Sequence, residues 1–349
     1  MTCGMPAYAK LAGVRYDLTF FDYDAIVEAY EVGYPRARDI FGDHVNYSGP
    51  GWSGISYGHV NCLGSPLTFP IDSDVAHAPI YATLEQGINA LQKTVDWSNA
   101  GLLPRYLKLW QKLKIAYPDM SIPFQGFGVE GPVTTAWELR GHDFFTDIYD
   151  APQRTTTFLR LVTESIVDYM VFVRQINNQP AMPEDGIGMV DDISALLHPD
   201  SWETYVVPYH EFYFSSQTSG RRHAHIERLF PAHLPFLDAL KLDSFDPSVS
   251  PTLRPADIST GCNVPFMWRL NAMQVRDYTL EQVRDFVYQA VAEGASGVFS
   301  HVGRIMTTMN AAVRIKVFIR AAQHVARLLS NNVPASRVTE YKNQLSFYL

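Results

Sequence analysis

Short apolar runs alternate with amphipathic helical segments over most of this chain, and this alternation constrains the fold more than any single motif. Helical periodicity is clear at 83–95, 103–116, 279–294 and 310–329, and Thr279 with Gln282 has the spacing of a capping box. The extended segments expected between such helices are 122–129, 186–190, 222–226, 242–245, 257–260 and 297–301. Strands and helices in alternation predict βα units around a parallel sheet.

The number of units favours one particular α/β architecture. Six or more units occur without a glycine-rich dinucleotide-binding turn, which favours a (β/α)8 barrel over a Rossmann sheet. No linker divides the chain, so we predict a single barrel domain over residues 1–349. Residues 1–80 are rich in Gly, Pro and Tyr, and we interpret them as an N-terminal elaboration: a lid, a dimer arm or part of the barrel. A homodimer is one of the oligomeric states that the sequence leaves open.

The composition excludes several classes of protein. The chain is 47% hydrophobic and 18% charged, which suits a packed core and excludes a disordered or repetitive chain. A formal net charge of −8 disfavours nucleic acid or an anionic membrane as the main partner. Three scattered cysteines, no long apolar run and no signal-like N-terminus predict a cytoplasmic protein acting on a small molecule.

Polar side chains stand where four of the predicted strands end. In a (β/α)8 barrel, functional residues lie at the carboxyl ends of the strands. The ends in question carry Glu130, the pair Asp191-Asp192, the segment 222–227 (RHAHIE) and the segment 300–304 (SHVGR). We take Glu130, Asp191 and Asp192 as candidate catalytic groups. The alternatives are that Glu130, before Gly-Pro, is a turn residue and that the Asp pair is a helix N-cap.

The segment 222–227 is the most informative of the four. Side chains at alternate positions of a strand share one face, so His223, His225 and Glu227 are expected to point together. Imidazole and carboxylate groups are suitable Zn²⁺ ligands, and we predict a metal site formed by His225, Glu227 and His301. The alternative is that these histidines and the neighbouring arginines form an anion pocket or a solvated strand end.

Several segments together resemble the uroporphyrinogen decarboxylase-like superfamily. The stretch 188–209 (GMVDDISALLHPDSWETYVVPY) resembles the superfamily segment in which an Asp pair at a strand end precedes a helix. Further resemblances are 131–132 (GP), 139–141 (LRG), 261–265 (GCNVP), 279–283 (TLEQV) and 300–303 (SHVG) with Asn310. The resemblance covers about residues 120–330 and implies a (β/α)8 barrel.

The superfamily contains two main chemistries. Uroporphyrinogen decarboxylases carry an N-terminal R-Q-A-G-R loop, which Arg36 and Arg38 do not match. The other group comprises zinc methyltransferases that exchange methyl groups with a corrinoid protein or a coenzyme thiol, and that hold zinc with a His-x-Cys pair and a later Cys. Glu227 and Val302 stand where those thiolates would lie. The resemblance therefore implies either a lost metal or a zinc site of harder ligands.

Harder ligands change the expected reaction. Histidine and carboxylate ligands leave Zn²⁺ more electron-poor than thiolates do and suit it to polarising an oxygen atom. We therefore expect an O-demethylase that transfers a methyl group from a substrate such as an aryl methyl ether to a corrinoid protein. The aromatic residues expected to cover that substrate are Tyr47, Trp52 and Tyr57. The residues expected to bind it are His223, Arg222, Cys262, Asn263 and Arg304.

Two other functions remain open at this level. One is a decarboxylase or other lyase that needs no corrinoid and acts on a small carboxylate bound by Arg222, His223 and His225. The other is a non-catalytic partner or sensor that has the barrel fold but lacks the zinc-binding cysteines of the methyltransferases.

Overall fold

Helices and short strands alternate over residues 1–345, the part of the chain that this computed structural model describes. The strands are β1 (Thr2–Cys3), β2 (Asn46–Tyr47), β3 (Leu67–Thr68), β4 (Ala76–His77), β5 (Ile187–Val190), β6 (Arg222–His225), β7 (Ser244–Asp246), β8 (Met267–Arg269), β9 (Gly297–Phe299) and β10 (His301–Val302). The helices are α1 (Met5–Ala12), α2 (Tyr23–Phe41), α3 (Gly58–Cys62), α4 (Leu84–Leu91), α5 (Leu103–Ala116), α6 (Pro132–Arg140), α7 (Phe144–Asp150), α8 (Pro152–Ile176), α9 (Trp202–Tyr205), α10 (Val207–Ser215), α11 (Leu234–Ala239), α12 (Pro255–Gly261), α13 (Ala272–Asp277), α14 (Leu280–Ala292) and α15 (Met309–Ser330).

Parallel pairing joins most of the strands into small sheets. β5, β6 and β7 form one sheet with β6 in the middle, β10, β1 and β2 form another around β1, and β8 pairs with β9. Single parallel bridges join Phe245 to Phe266 and Ile55 to Phe127, and β3 and β4 form an antiparallel hairpin. The predicted α/β class is confirmed, whereas closure into a (β/α)8 barrel stays a prediction.

One predicted strand is wrong. Residues 257–260 lie in α12, which begins at Pro255 and is capped by the hydrogen bond from Arg254 N to Asp257 Oδ2 (2.8 Å). Proline suits the first helical position because its missing N–H has no partner there in any case. The runs 186–190, 222–226 and 297–301 do contain β5, β6 and β9, 242–245 covers the first two residues of β7, and 122–129 contains a single bridge at Phe127.

The buried side chains form two hydrophobic cores. The first unites helices from both ends of the chain and includes Tyr8, Phe20 and Phe318. The second is built largely from the middle of the chain and includes Phe158 and Trp202. The first 80 residues thus supply β1, β2 and part of the first core, and their service as a lid or dimer arm stays a prediction.

The length and hydropathy of the helices show whether any of them could span a membrane. No helix within residues 1–345 combines the length and apolar character needed to cross a bilayer.

Candidate metal centre

Polar side chains from neighbouring strand ends lie together at one edge of the sheet. Asp192 follows β5, His225 is the last residue of β6, Glu227 lies two residues beyond it, and Asp246 is the last residue of β7. Parallel register places Val190 beside His225 and His225 beside Asp246. The carboxyl ends of parallel strands form the usual ligand-binding edge of α/β proteins, and this edge is therefore the candidate functional site.

Asp192, His225 and Glu227 form a compact group of metal-ligand atoms. One ligand atom from each lies within 4.8 Å of the others, and His225 Nε2 is 3.7 Å from Asp192 Oδ1 and 3.6 Å from Glu227 Oε1. A tetrahedral Zn²⁺ with bonds of about 2.1 Å separates its ligand atoms by about 3.4 Å. The group therefore fits zinc after a small inward shift, and three protein ligands are the usual number at a catalytic zinc.

Asp246 fixes the orientation of the His225 ring. Asp246 Oδ2 lies 2.7 Å from His225 Nδ1, so Nδ1 carries the hydrogen and Nε2 faces the other two carboxylates. Such a carboxylate behind the ring is the usual support of a metal-binding histidine. Burial lowers the pKa of His225, but the bonds to Asp246 and Glu227 and the charge of Asp192 outweigh burial and raise this pKa to about 10.

Backbone and hydroxyl donors hold the carboxylates in place. Glu227 N donates to Asp192 Oδ1 (2.8 Å), and Ser248 N donates to Asp246 Oδ1 (2.7 Å) while its hydroxyl bonds the Glu227 carboxylate. The bond to His225 lowers the pKa of Glu227, whereas burial raises that of Asp192. Ser248 is buried in the left-handed region at φ 49°. Such a conformation costs a non-glycine residue about 1–3 kcal/mol and is concentrated at functional sites.

Asp246, Ser248 and Arg269 are the members of this site that sequence reasoning missed. Arg269 ends β8, and its Nη1 donates to Ser248 Oγ at 2.9 Å. Its Nε is buried and has no partner among the described residues. Arg269 could have been identified from its position at the end of a strand. That strand was predicted at residues 257–260, about ten residues too early, and Arg269 was therefore overlooked.

Two glutamates, Glu130 and Glu138, have raised pKa values, and Glu130 interacts with two members of the metal group. Burial raises the pKa of Glu130 to about 7, helped by the negative charges of Asp192 and Asp191 and opposed by a hydrogen bond from Ser56. Glu138 is 1% exposed, and burial raises its pKa well above the ordinary value. Glu130 can therefore give or take a proton near neutral pH, whereas burial favours the neutral form of Glu138.

Asp191 lies outside the metal group, and its catalytic role stays a prediction. It is completely buried, and it accepts hydrogen bonds from Thr134 N (2.6 Å) and Val133 N (3.2 Å). Its Oδ2 is also 2.6 Å from His210 Nε2. The carboxylate thus binds the N-terminus of α6, where backbone N–H groups lack helical partners. Of the Asp pair, only Asp192 reaches the centre.

The two other predicted histidines lie outside the three-ligand group. His223 shares the face of His225, as predicted, and its Nδ1 is 2.7 Å from Ser244 Oγ on the paired strand. His301 Nδ1 is hydrogen-bonded to Thr2 Oγ1, where β10 pairs with β1. The compact group thus contains Asp192 in place of His301, and the predicted metal set of His225, Glu227 and His301 stays a prediction.

Three predicted substrate-binding residues lie at the opposite, amino-terminal ends of the strands. Arg222, the first residue of β6, donates two hydrogen bonds to the Glu211 carboxylate (2.5 and 3.0 Å). Cys262 and Asn263 precede β8. Burial raises the pKa of the Cys262 thiol, and Asn263 is bonded to Asp238. None of these three contacts the metal group.

Arg304 belongs to a separate cavity. Its guanidinium lies 4.4 Å from the centre of the Tyr16 ring, and it lines a space of about 240 Å³ together with Lys10, Arg15 and Asp72. Arg304 thus lies outside the metal group, and its role in substrate binding stays a prediction.

Only one of the three aromatic residues expected to cover the substrate lies near the site. Tyr57 is half-buried, and its pKa is raised by burial and by the charges of Glu138 and Glu130. Trp52 packs into the first core, and the Tyr47 hydroxyl donates to a backbone carbonyl.

Comparison with known proteins shows a likeness of fold. No family model and no curated protein matches the chain. Among solved structures, a methyltransferase from Methanosarcina mazei superposes with a TM-score of 0.66 and 14% sequence identity, over 93% of this chain and 91% of that chain. At this identity the match shows the fold alone. Membership of the uroporphyrinogen decarboxylase-like superfamily stays a prediction.

Proposed function

We propose that this protein is a zinc-dependent methyltransferase of the uroporphyrinogen decarboxylase-like superfamily that transfers a methyl group from an aryl methyl ether to a corrinoid protein. The observation that carries the proposal is the group of Asp192, His225 and Glu227. Their side chains are 39%, 22% and 34% exposed, so a substrate can reach them. The fold shared with a methyltransferase supports the reaction class, and the hard ligands support an oxygen-bearing substrate.

A closed (β/α)8 barrel is part of this proposal. Parallel pairs join β10, β1 and β2, a separate parallel bridge joins Ile55 to Phe127, and β5, β6 and β7 follow in chain order. The hydrogen bond from Gly131 N to Val190 O joins the segment after Phe127 to β5, and the Phe245–Phe266 bridge leads on to β8 and β9. A ring of this order is what a barrel requires.

Each side chain around the metal group has its own role in the proposed reaction. Zinc, when bound, supplies a Lewis acid that draws electron density from the substrate oxygen. Asp192, His225 and Glu227 would hold it, and Asp246 keeps Nε2 of His225 directed at the site. Arg269 offers a buried N–H to an anionic substituent of the substrate.

Glu130 supplies the proton that the reaction consumes. The electron pair of the corrinoid acceptor forms the new bond to the methyl carbon, and the pair of the breaking C–O bond stays on oxygen. That oxygen takes the proton of the Glu130 carboxyl group, which leaves a phenol, a methylated acceptor and a carboxylate. A pKa of about 7 suits a general acid at neutral pH.

The deciding experiment is methyl transfer by protein reconstituted with one equivalent of zinc. With methoxybenzenes and cob(I)alamin, we expect methylcobalamin to form, and Glu227→Ala to slow its formation by on the order of a hundredfold. The surface variant Arg276→Met serves as the matched control and is expected to keep the wild-type rate. Release of CO₂ from a small carboxylate without zinc or corrinoid would contradict the proposal and favour a decarboxylase, and ligand binding without turnover would favour a sensor.

The rate of methyl transfer is expected to fall as pH rises through about 7, because Glu130 loses its proton there. Glu130→Gln should remove this limb and slow the reaction by about 10²–10⁴-fold. Glu138→Gln should keep it, since burial favours the neutral form of Glu138 and the amide that replaces it is also neutral. The measurement is the pH–rate profile of the three proteins, and an unchanged profile in Glu130→Gln would rule out this role. The groups that face Glu130 are Ser56, Tyr57, Glu138, Asp191, Asp192 and His225.

A further inference from the structure

A buried arginine near the end of α8 lacks adequate partners. Arg174 is 5% exposed, and its Nη1 and Nη2 both donate to one acceptor, Gln217 Oε1, at 3.3 Å. Arg174 Nε and Gln217 Nε2 are buried without any partner among residues 1–345. Burial lowers the pKa of Arg174, and Tyr213 counteracts this effect. A guanidinium has five N–H donors, so most of this group's hydrogen-bonding capacity is unused.

Arg174 lines a cavity of about 680 Å³. Met170, Met182 and Ile187 contribute apolar surface, while Glu184 and Asp185 add negative charge. The cavity touches the first residues of β5, whereas the metal group lies beyond the last residue of that strand. The two sites are therefore at opposite ends of the sheet, and the cavity is independent of the proposed catalytic centre.

The composition of the cavity restricts what would fill it. A buried cation without a partner is unfavourable, and a carboxylate relieves it best because two oxygens accept two parallel N–H bonds from one guanidinium. The methionine and isoleucine side chains favour a ligand with an apolar body. The two acidic residues repel a ligand of high negative charge, such as phosphate.

We propose that this cavity binds a monocarboxylate with an apolar body. The carboxylate pairs with the guanidinium of Arg174, and the apolar part packs on Met170, Met182 and Ile187. The metal group and methyl transfer play no part in this binding.

The test is calorimetric titration of the full chain with benzoate, with its neutral analogue benzamide and with inorganic phosphate. We expect benzoate to bind saturably at one site, and the other two compounds to bind at least about tenfold more weakly. Arg174→Met should weaken benzoate binding by about tenfold to a hundredfold. Arg160→Met, on the same helix and exposed, is the matched control and should change nothing. Absence of saturable benzoate binding, or equal affinity for benzamide, would overturn the proposal.

Two further variants locate the binding and guard against misfolding. Met182 is 46% exposed, so Met182→Trp should fold normally and block the cavity, which makes it a second test should Arg174→Met fail to fold. Arg269→Met alters the metal end of the sheet and should leave benzoate affinity unchanged. The proposal fails if Met182→Trp binds benzoate as the wild type does, or if Arg269→Met and not Arg174→Met abolishes binding.

Discussion

Replacement of His225 by alanine is expected to lower the affinity of the purified protein for zinc by more than about a hundredfold. His225 supplies the imidazole nitrogen that lies 3.7 Å from an oxygen of Asp192 and 3.6 Å from an oxygen of Glu227. Its loss leaves two carboxylates, which suit Mg²⁺ or Ca²⁺ better than zinc. Loss of a residue that only supports a ligand typically costs 10–100-fold, so loss of the ligand itself should cost more.

A graded series of variants makes this expectation specific. Asp246→Asn removes the carboxylate behind the His225 ring and should cost about 10–100-fold in zinc affinity. His301→Ala should leave the zinc affinity unchanged, because His301 is outside the ligand group. The measurement is competition with a chromogenic chelator at fixed pH, alongside the zinc content of protein purified without chelator. Equal zinc affinity in His225→Ala and the wild type, or a loss in His301→Ala as large as that in His225→Ala, would refute the centre described here.

Asp191→Ala is expected to lower the free energy of unfolding by about 3–5 kcal/mol, because each buried hydrogen-bonding group that it leaves without a partner costs about 1–3 kcal/mol. The carboxylate accepts from Val133 N and Thr134 N at the start of α6 and lies 2.6 Å from His210 Nε2. His210 is fully buried, and its Nδ1 has no partner among the described residues. The variant would leave both backbone donors and the whole imidazole without an acceptor.

The neighbouring aspartate provides the control for this stability experiment. Asp192→Ala removes a 39% exposed side chain and should change the free energy of unfolding by less than about 1 kcal/mol. Asp191→Asn keeps one carbonyl oxygen and should fall between the two. The measurement is urea unfolding followed by circular dichroism. If Asp192→Ala proves as destabilising as Asp191→Ala, the assignment of separate roles to the pair is wrong.

Local patterns in the sequence were sufficient to identify much of the α/β alternation. The extended segments predicted at β5, β6, β7 and β9 have helical segments on either side, and the capping box at Thr279 and Gln282 forms as predicted. Residues 257–260 were wrongly predicted as a strand, because a run of four residues is too short for its periodicity to distinguish a strand from a helix. Pro255 at the first helical position was the better guide.

The candidate site was predictable only where one strand holds several of its members. His225 and Glu227 were predicted from the two-residue period of an extended segment, which needs no tertiary information, although β6 itself ends at His225. The choice between Asp191 and Asp192 does require the three-dimensional structure, because adjacent residues point in different directions and a contact with α6 decides which one is buried. Asp246 and Arg269 come from other strands and carry no motif, so only the pairing of β6, β7 and β8 brings them to the centre.

The pairing of β1 with β10 has a consequence for the order of folding. Thr2 and His301 are 299 residues apart in sequence, and closing a loop of that length costs on the order of 5 kcal/mol of chain entropy. A two-residue strand cannot recover that cost, so the packing of the first core, to which Tyr8 and Phe318 both contribute, must accompany the pairing. Contacts between distant segments form slowly. The middle of the chain can therefore form the second core during synthesis. The first core and the pairing of β1 are complete only after β10 has been synthesised.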